Sequence, residues 1–317
     1  MADTEKKNLI ILTGPTAVGK TELSIKLAKE LNGEIISADS IQVYKHFNIG
    51  SAKITKAEME GIPHHLIDIL EPQEGFNVAT FKKLAHEAIN DILSRGGVPI
   101  ITGGTGFYIQ SVLYDIDFAK NEDDGYRQIL EDLLREHGPI YMHDMLKEID
   151  PESADSIHFN NSKRVIRALE YHHQTGTKIS SHNATESQKK SPYNFAYFVL
   201  NCNRSTLYER INKRVDMMVD LGLVKEVEDL VNTYHLTKDM ISMQGLGYKE
   251  IFAYLRGEIS LDEAIYIIKR DTRHFAKRQL TWFKREKDVI WLDKDIHKST
   301  ESQLMFIKNV LNEKNII

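Results

Sequence analysis

Gly14-Pro15-Thr16-Ala17-Val18-Gly19-Lys20-Thr21 fits the pattern G-x-x-x-x-G-K-[ST] at every position. An apolar run, Leu9–Leu12, leads into it. A stretch with helical spacing follows, with Leu23, Leu27, Ala28 and Leu31 on one face. The motif therefore lies between a strand and a helix, where its mechanism needs it. Its glycines let backbone N–H groups turn inward around phosphate oxygens, and the helix N-terminus adds partial positive charge. Lys20 supplies a point charge, and the Thr21 hydroxyl can hold Mg²⁺. Such a loop specifies a phosphate chain, not the molecule that carries it.

Outward from this loop, strands and helices alternate. Gly33 closes the first helix, and Glu34–Ala38 reads as a second strand. Asn77–Arg95 has helical spacing, Gly96–Gly97 ends it, and Val98–Thr102 reads as a third strand. Alternation of this kind builds a parallel sheet with helices on its faces. The expected fold is α/β, a P-loop NTPase-like parallel sheet. The alternation stops near Asp115; from there to about Asn194 the pattern is helical and polar, broken at Gly138–Pro139, Asp150–Pro151 and Gly176. Phe195–Leu200 reads as a strand returning to the sheet. Helices are expected at Ser205–Leu221, Leu223–Val231 and Leu261–Arg285, with one more strand at Asp288–Leu292. The expected division is a core of residues 1–115 and 195–317 with C-terminal helices, and an inserted helical domain of residues 116–194.

The 317 residues suffice for a full core, and 41% hydrophobic with 27% charged residues is ordinary for a globular protein. No apolar run approaches the roughly 18 residues that span a bilayer, so no membrane association is expected. Met1–Lys7 is short and polar and reads as a frayed end. The single cysteine, Cys202, leaves no disulfide within the chain and no cysteine-rich zinc module. A reducing cytoplasm and a monomer are the expectations. A net charge of −5 means that any nucleic-acid surface must be local.

In a parallel sheet the carboxyl ends of the strands form the ligand crevice. Two segments besides the P-loop fall on that rim. Ser37-Ala38-Asp39-Ser40-Ile41-Gln42-Val43-Tyr44 follows the second strand. Asp39 has two open roles there: a functional carboxylate that takes a proton or holds Mg²⁺ through water, or a cap or turn residue. Thr102-Gly103-Gly104-Thr105-Gly106-Phe107-Tyr108 follows the third strand. Its glycines permit close backbone approach, and Thr105 offers a hydroxyl.

Together these segments resemble the bacterial tRNA dimethylallyltransferase family, also called isopentenyltransferases. The resemblance covers nearly the whole chain. It includes Gly14–Thr21, Asp39–Tyr44, Ile49-Gly50-Ser51-Ala52-Lys53, Pro63-His64-His65-Leu66-Ile67-Asp68 and Gly103–Tyr108. It continues through Arg164–Glu170, Tyr208–Val215, Gly247-Tyr248-Lys249-Glu250 and Ala276-Lys277-Arg278-Gln279-Leu280-Thr281-Trp282-Phe283. The resemblance implies transfer of a dimethylallyl group from dimethylallyl diphosphate to the exocyclic amine of the adenosine 3′ to the anticodon. It implies that Gly14, Pro15, Thr16, Ala17, Val18, Gly19, Lys20 and Thr21 hold the diphosphate with Mg²⁺. Asp39 would take the amine proton, and Asp39, Ser40, Ile41 and Gln42 would meet the anticodon stem-loop and the extruded adenine. Thr105, Arg127, Lys163, Arg164, Val165, Ile166 and Arg167 match tRNA-contacting positions. Arg214, with Arg210 one helical turn earlier, is the choice for an arginine that reaches the diphosphate.

The window 269–285 carries seven basic residues against one acid, Asp271. Its local charge of +6 leaves −11 on the rest of the chain, since the whole carries −5. Lys269, Arg273 and Lys277 share one helix face, a spacing suited to backbone phosphates or to a solvated face. Ala264, Ile268, Phe275 and Trp282 mark another face, expected in the core with Phe283. The pairs His64-His65 and His172-His173 do not make a metal site by adjacency. Two other functions remain open on the residues alone. A small-molecule or nucleotide kinase would share the P-loop, Mg²⁺ and sheet, with ATP as the ligand; a nucleotide-regulated RNA-binding module would lack a base-sized pocket beside Asp39.

Overall fold

The computed structural model describes residues 6–118 and 124–317. Residues 1–5 of the polar N-terminal segment, and residues 119–123 of the expected insertion, lie outside the described residues. The chain divides into two compact units, one of Met1–Leu113 with Pro192–Ile317 and one of Tyr114–Ser191.

The larger unit is built on six strands: β1 (Lys7–Thr13), β2 (Gly33–Ala38), β3 (His64–His65), β4 (Val98–Gly103), β5 (Tyr193–Asn201) and β6 (Val289–Asp293). They form one parallel sheet in the order β3-β2-β4-β1-β5-β6. Leu9 to Leu12 of the central strand are fully buried, as expected for a sheet covered on both faces. Each such side chain stabilises the fold by roughly 1.5–3 kcal/mol relative to exposure. Asn8 pairs with Asn194 in the β1–β5 register, so Tyr193 and Asn194, expected in the insertion, belong to the sheet.

Helices α1 (Lys20–Leu31), α2 (Val78–Ser94) and α3 (Gly106–Leu113) connect the first strands. The Asn77 side chain caps α2 by accepting the Thr80 N–H at 3.0 Å. After β5 come α8 (Arg204–Asp220), α9 (Leu223–Tyr234), α10 (Tyr248–Leu255), α11 (Leu261–Phe283) and, after β6, α12 (Thr300–Glu313). Ser260 caps α11 through the Glu263 N–H, and Asp262 and Glu263 complement the helix dipole in its first turn.

The smaller unit holds α4 (Tyr126–Ile149), α5 (Pro151–Ser156), α6 (Ser162–Thr175) and α7 (Ile179–Ser187). Its core gathers Leu130, Met142, Leu146, Ala154, Val165, Ile166 and Leu169. The three expected breaks are all structural: Gly138, at φ 81°, kinks α4; Asp150 separates α4 from α5; Gly176 ends α6. Buried Asp150 accepts N–H and hydroxyl donors from both Ser153 and Ser180. Burial opposes its charge, yet these bonds outweigh it and hold the carboxyl below its usual range.

In the larger unit, Glu226 of α9 organises the loop after β2. Its carboxylate accepts N–H groups from Asn48 at 3.1 Å, Ile49 at 2.7 Å and Gly50 at 3.0 Å. It also accepts the Tyr248 hydroxyl at 2.9 Å, while that oxygen accepts the Ser51 N–H at 3.0 Å. A protein carboxylate thus fills a nest of backbone donors. Glu226→Ala is expected to lower the unfolding free energy by about 2–3 kcal/mol, the scale for charge-assisted bonds left unmade. Urea denaturation reads this directly; a loss below about 0.5 kcal/mol would mean that the loop finds other partners.

A candidate active site at the carboxyl edge of the sheet

Strand register brings three loops to one level. Thr13 of β1 and Ala38 of β2 both stand beside Gly103 of β4. The loops that leave these strands carry Gly14–Thr21, Asp39–Gln42 and Gly104–Thr105. The P-loop turns under β5, where Gly14 adopts φ 147° and a Cβ would lie 2.6 Å from the Leu200 carbonyl oxygen. Only glycine fits that position.

A cavity of about 470 Å³ opens on this rim, lined among others by Thr16, Asp39, Thr105, Arg214, Phe275 and Gln279. A second, of about 360 Å³, includes Gly19, Lys20, Thr21 and again Arg214 in its lining. Arg214 is the residue common to both.

Lys20 donates to the carbonyls of Gly14 at 2.9 Å and Pro15 at 3.0 Å. The residue keeps some surface along the cavity, but its ammonium is enclosed. Burial first, then repulsion from Arg214, lower its pKa from 10.5 to about 7, and attraction to Asp39 opposes them. Burial also lowers the pKa of Arg214. Arg214 makes no hydrogen bond or ion pair among the described residues. Two enclosed cations thus line one cavity and repel, and Asp39 is the acid whose charge acts on Lys20. Unpaired buried charge is costly, so the pair is arranged for an anion from outside the chain. Arg210 is exposed and lines neither cavity; its charge acts on Lys294 and Cys202 instead.

Asp39 is both a turn residue and a cavity residue. Its Oδ1 accepts the N–H groups of Ile41 at 2.9 Å and Gln42 at 3.2 Å. Oδ2 makes no hydrogen bond among the described residues. The turn therefore orients the carboxylate and leaves one oxygen for chemistry. Ser40 and Ile41 also line the larger cavity. Gln42 does not; its amide is tied to the Ser51 and Ala52 carbonyls and to the Ser37 hydroxyl.

Aromatic residues complete the walls. Tyr108 stacks on Phe81 at 4.5 Å and meets Phe76 edge-on at 5.8 Å. Burial pushes its phenol pKa up, with smaller contributions from Tyr44 and Asp39, so Tyr108 stays protonated at neutral pH. Phe275, expected in the core, is half-buried and lines the cavity beneath the Arg278 guanidinium at 5.8 Å. Phe283 is fully buried, as expected.

The charged face of α11 is partly committed within the protein. Lys269 pairs with Asp216 at 2.5 Å, and Arg273 donates to Asn212 at 2.6 Å. Lys277 and Arg278 are exposed. In the helical unit, Arg127 and Arg167 both meet buried Glu170, at 3.3 and 3.1 Å. Val165 and Ile166, expected at a tRNA surface, are core residues, because their positions on α6 face the unit's interior. Lys163 and Arg164 are exposed.

A family model described as IPP transferase matches residues 42–286. The chain belongs to the IPP transferase family. It is 60% identical over 310 residues to a tRNA dimethylallyltransferase of Lachnoclostridium phytofermentans, covering 98% of this chain and 99% of that protein. Among solved structures it is similar to the tRNA isopentenylpyrophosphate transferase of Bacillus halodurans, with TM-score 0.72, 45% identity and 98% of each chain covered. A eukaryotic dimethylallyltransferase acting on tRNA gives TM-score 0.79 at 31% identity, covering 96% of this chain and 80% of that one. These relatives favour the family's transfer chemistry over the kinase alternative. No helix among the described residues is long and apolar enough to cross a membrane.

Proposed function

We propose that this chain is a tRNA dimethylallyltransferase that works as a monomer in the cytoplasm. It moves the dimethylallyl group of dimethylallyl diphosphate to the N6 amine of the adenosine 3′-adjacent to the anticodon. The observation that carries this reading is the convergence of the Lys20 and Arg214 cations and the free Asp39 oxygen on neighbouring cavities.

The diphosphate sits in Gly14–Thr21, with Lys20 and Arg214 neutralising charge as it builds on the leaving group. The N6 nitrogen attacks C1 of the dimethylallyl group while the C1–O bond breaks and diphosphate leaves with the electron pair. Asp39 Oδ2 takes the N6 proton. Thr105 and Ser40 line the acceptor side, and the apolar and aromatic walls exclude water from the cationic allyl group. The adenine must leave its stack to enter, which a single-stranded loop makes cheap.

Mg²⁺ fits the oxygen donors present. Among the described residues no cluster of three His, Cys, Asp or Glu could cage a metal, so the Thr21 hydroxyl and diphosphate oxygens would hold it, with Asp39 reaching it through water. When bound it supplies further charge to the leaving diphosphate.

Incubation with labelled dimethylallyl diphosphate, Mg²⁺ and unmodified tRNA should place label in tRNA. Absence of label together with robust ATP-dependent phosphoryl transfer would sink this reading in favour of a kinase.

Lys163, Arg164, Arg167 and Arg127 on the helical unit, with Lys277 on α11, are assigned to tRNA phosphates. Arg273, anchored by Asn212, contributes its charge from a fixed position. Lys277→Ala should reduce the slope of log affinity against log salt by about 1, one phosphate contact, and weaken all tRNAs alike. An unchanged slope removes Lys277 from the interface.

A further inference from the structure

Gln279 lies on α11 and is 6% exposed. Its Oε1 accepts the Thr16 N–H at 2.9 Å, and its Nε2 donates to the Gly104 carbonyl at 2.9 Å. Both partners are backbone groups of fixed character, so the amide has one orientation that satisfies them. One partner belongs to the P-loop and the other to the glycine-rich loop after β4. Thr16, Gly104, Thr105 and Gln279 all line the larger cavity. A Cβ on Gly104 would lie 2.2 Å from Nε2, so the glycine makes room for the amide.

A buried glutamine can be satisfied by neighbours on its own helix. This one instead bridges two loops that are separate in sequence and share no helix. At the base of these loops the Thr13 hydroxyl donates to the Gly103 carbonyl at 2.6 Å and the Thr102 hydroxyl to the Leu12 carbonyl at 2.9 Å; Gln279 ties the loops beyond those strand ends. We propose that Gln279 is a positioning residue that clamps these two loops at a fixed separation. It thereby holds the phosphate cradle in register with the side of the cavity that carries Thr105. The inference rests on the proposed transferase reading for its catalytic consequence, but not for its effect on phosphate binding. Small misplacement of reacting groups is costly because attack needs near-contact geometry.

The test uses the full chain with Gln279→Met, which removes both bonds, and Gln279→Glu, which keeps an acceptor for Thr16 but sets an anionic oxygen against the Gly104 carbonyl. Binding of inorganic diphosphate with Mg²⁺ is measured beside single-turnover transfer to tRNA. Gln279→Met should bind diphosphate about tenfold more weakly, the scale of two lost hydrogen bonds, and should lose more than that in transfer rate. Gln279→Glu should be impaired at pH 8 and recover towards pH 6, since a protonated carboxyl can again donate to Gly104. Asp39, Arg214 and Arg278 line the same cavity and Lys20 lines the neighbouring one, so each value is taken as a ratio to the unaltered protein at that pH. Gly104→Ala crowds the amide from the other side and should reproduce the Gln279→Met defect, which covers the case that one variant does not fold.

Variants that melt lower but bind diphosphate and turn over as the unaltered chain does, with no pH-dependent recovery, overturn the clamp. An unaltered chain that transfers no label overturns the transferase reading instead, and diphosphate binding then decides the clamp by itself.

Discussion

Asp39→Asn is expected to lower the single-turnover rate of dimethylallyl transfer by about 10²–10⁴-fold, the range for loss of a positioned base. Asparagine keeps the Oδ1 acceptor that holds the Ile41 and Gln42 N–H groups. The turn therefore survives, and what changes is the ability of the second atom to take a proton. Asp39→Ala removes both properties. Comparing the two separates chemistry from loop geometry: equal losses mean that the proton acceptor dominates, while a much larger loss in alanine means that the turn does. Diphosphate binding should stay largely intact in both, because Asp39 attracts Lys20 but does not ion-pair with it. A rate within about threefold of the unaltered protein in both variants leaves no room for Asp39 as the base.

Lys20→Met should cost about 10²–10³-fold in the transfer step, as loss of a preorganised charge at the leaving group does, with weaker diphosphate binding besides. The pH dependence has a definite sign. In the free protein the Lys20 pKa is lowered to about 7 by burial, then by Arg214. The ammonium is thus present below pH 7 and lost as pH rises through it. A bound diphosphate favours the charged form, so binding at pH 8 draws a proton onto Lys20. Because the folded value lies below the unfolded one, this group adds stability as pH rises from about 7 towards 10.5. Calorimetry of inorganic diphosphate at pH 8, in buffers of different ionisation enthalpy, should show proton uptake that falls by up to one in Lys20→Met. Identical uptake in the two proteins counts against the assignment.

The parts of this site that can be read from sequence are those set by local chain geometry. Gly14–Thr21, Asp39 and Thr105 follow from one rule about the carboxyl ends of parallel strands, and the sheet places all three on the rim. Strand β3 escaped because two residues, His64 and His65, have no periodicity to read. Helix α10 is short, and α12 lies after the last expected strand. Arg214 came through resemblance alone, since nothing on α8 marks which arginine faces inward. Gln279, Phe275 and the Glu226 nest are long-range contacts without a local signature. The face shared by Lys269, Arg273 and Lys277 was legible as a face, but Asp216 and Asn212 of α8, which engage two of the three, were not.

The β1–β5 pairing also sets an order of events during synthesis. Four strands, β3-β2-β4-β1, exist once residue 103 has been made, yet Gly14 leans on Leu200 of β5. At ribosomal speeds of roughly 5–20 residues per second, the P-loop waits about 10–40 s for that wall. Arg214 and Gln279 arrive later still. A nascent or prematurely terminated chain therefore displays the glycine-rich segment without its opposing surface, and it is expected neither to sequester the prenyl donor nor to resist proteases there. On the proposed reading, competence for the donor is acquired late, once Arg214 and Gln279 have joined the loop that was made first.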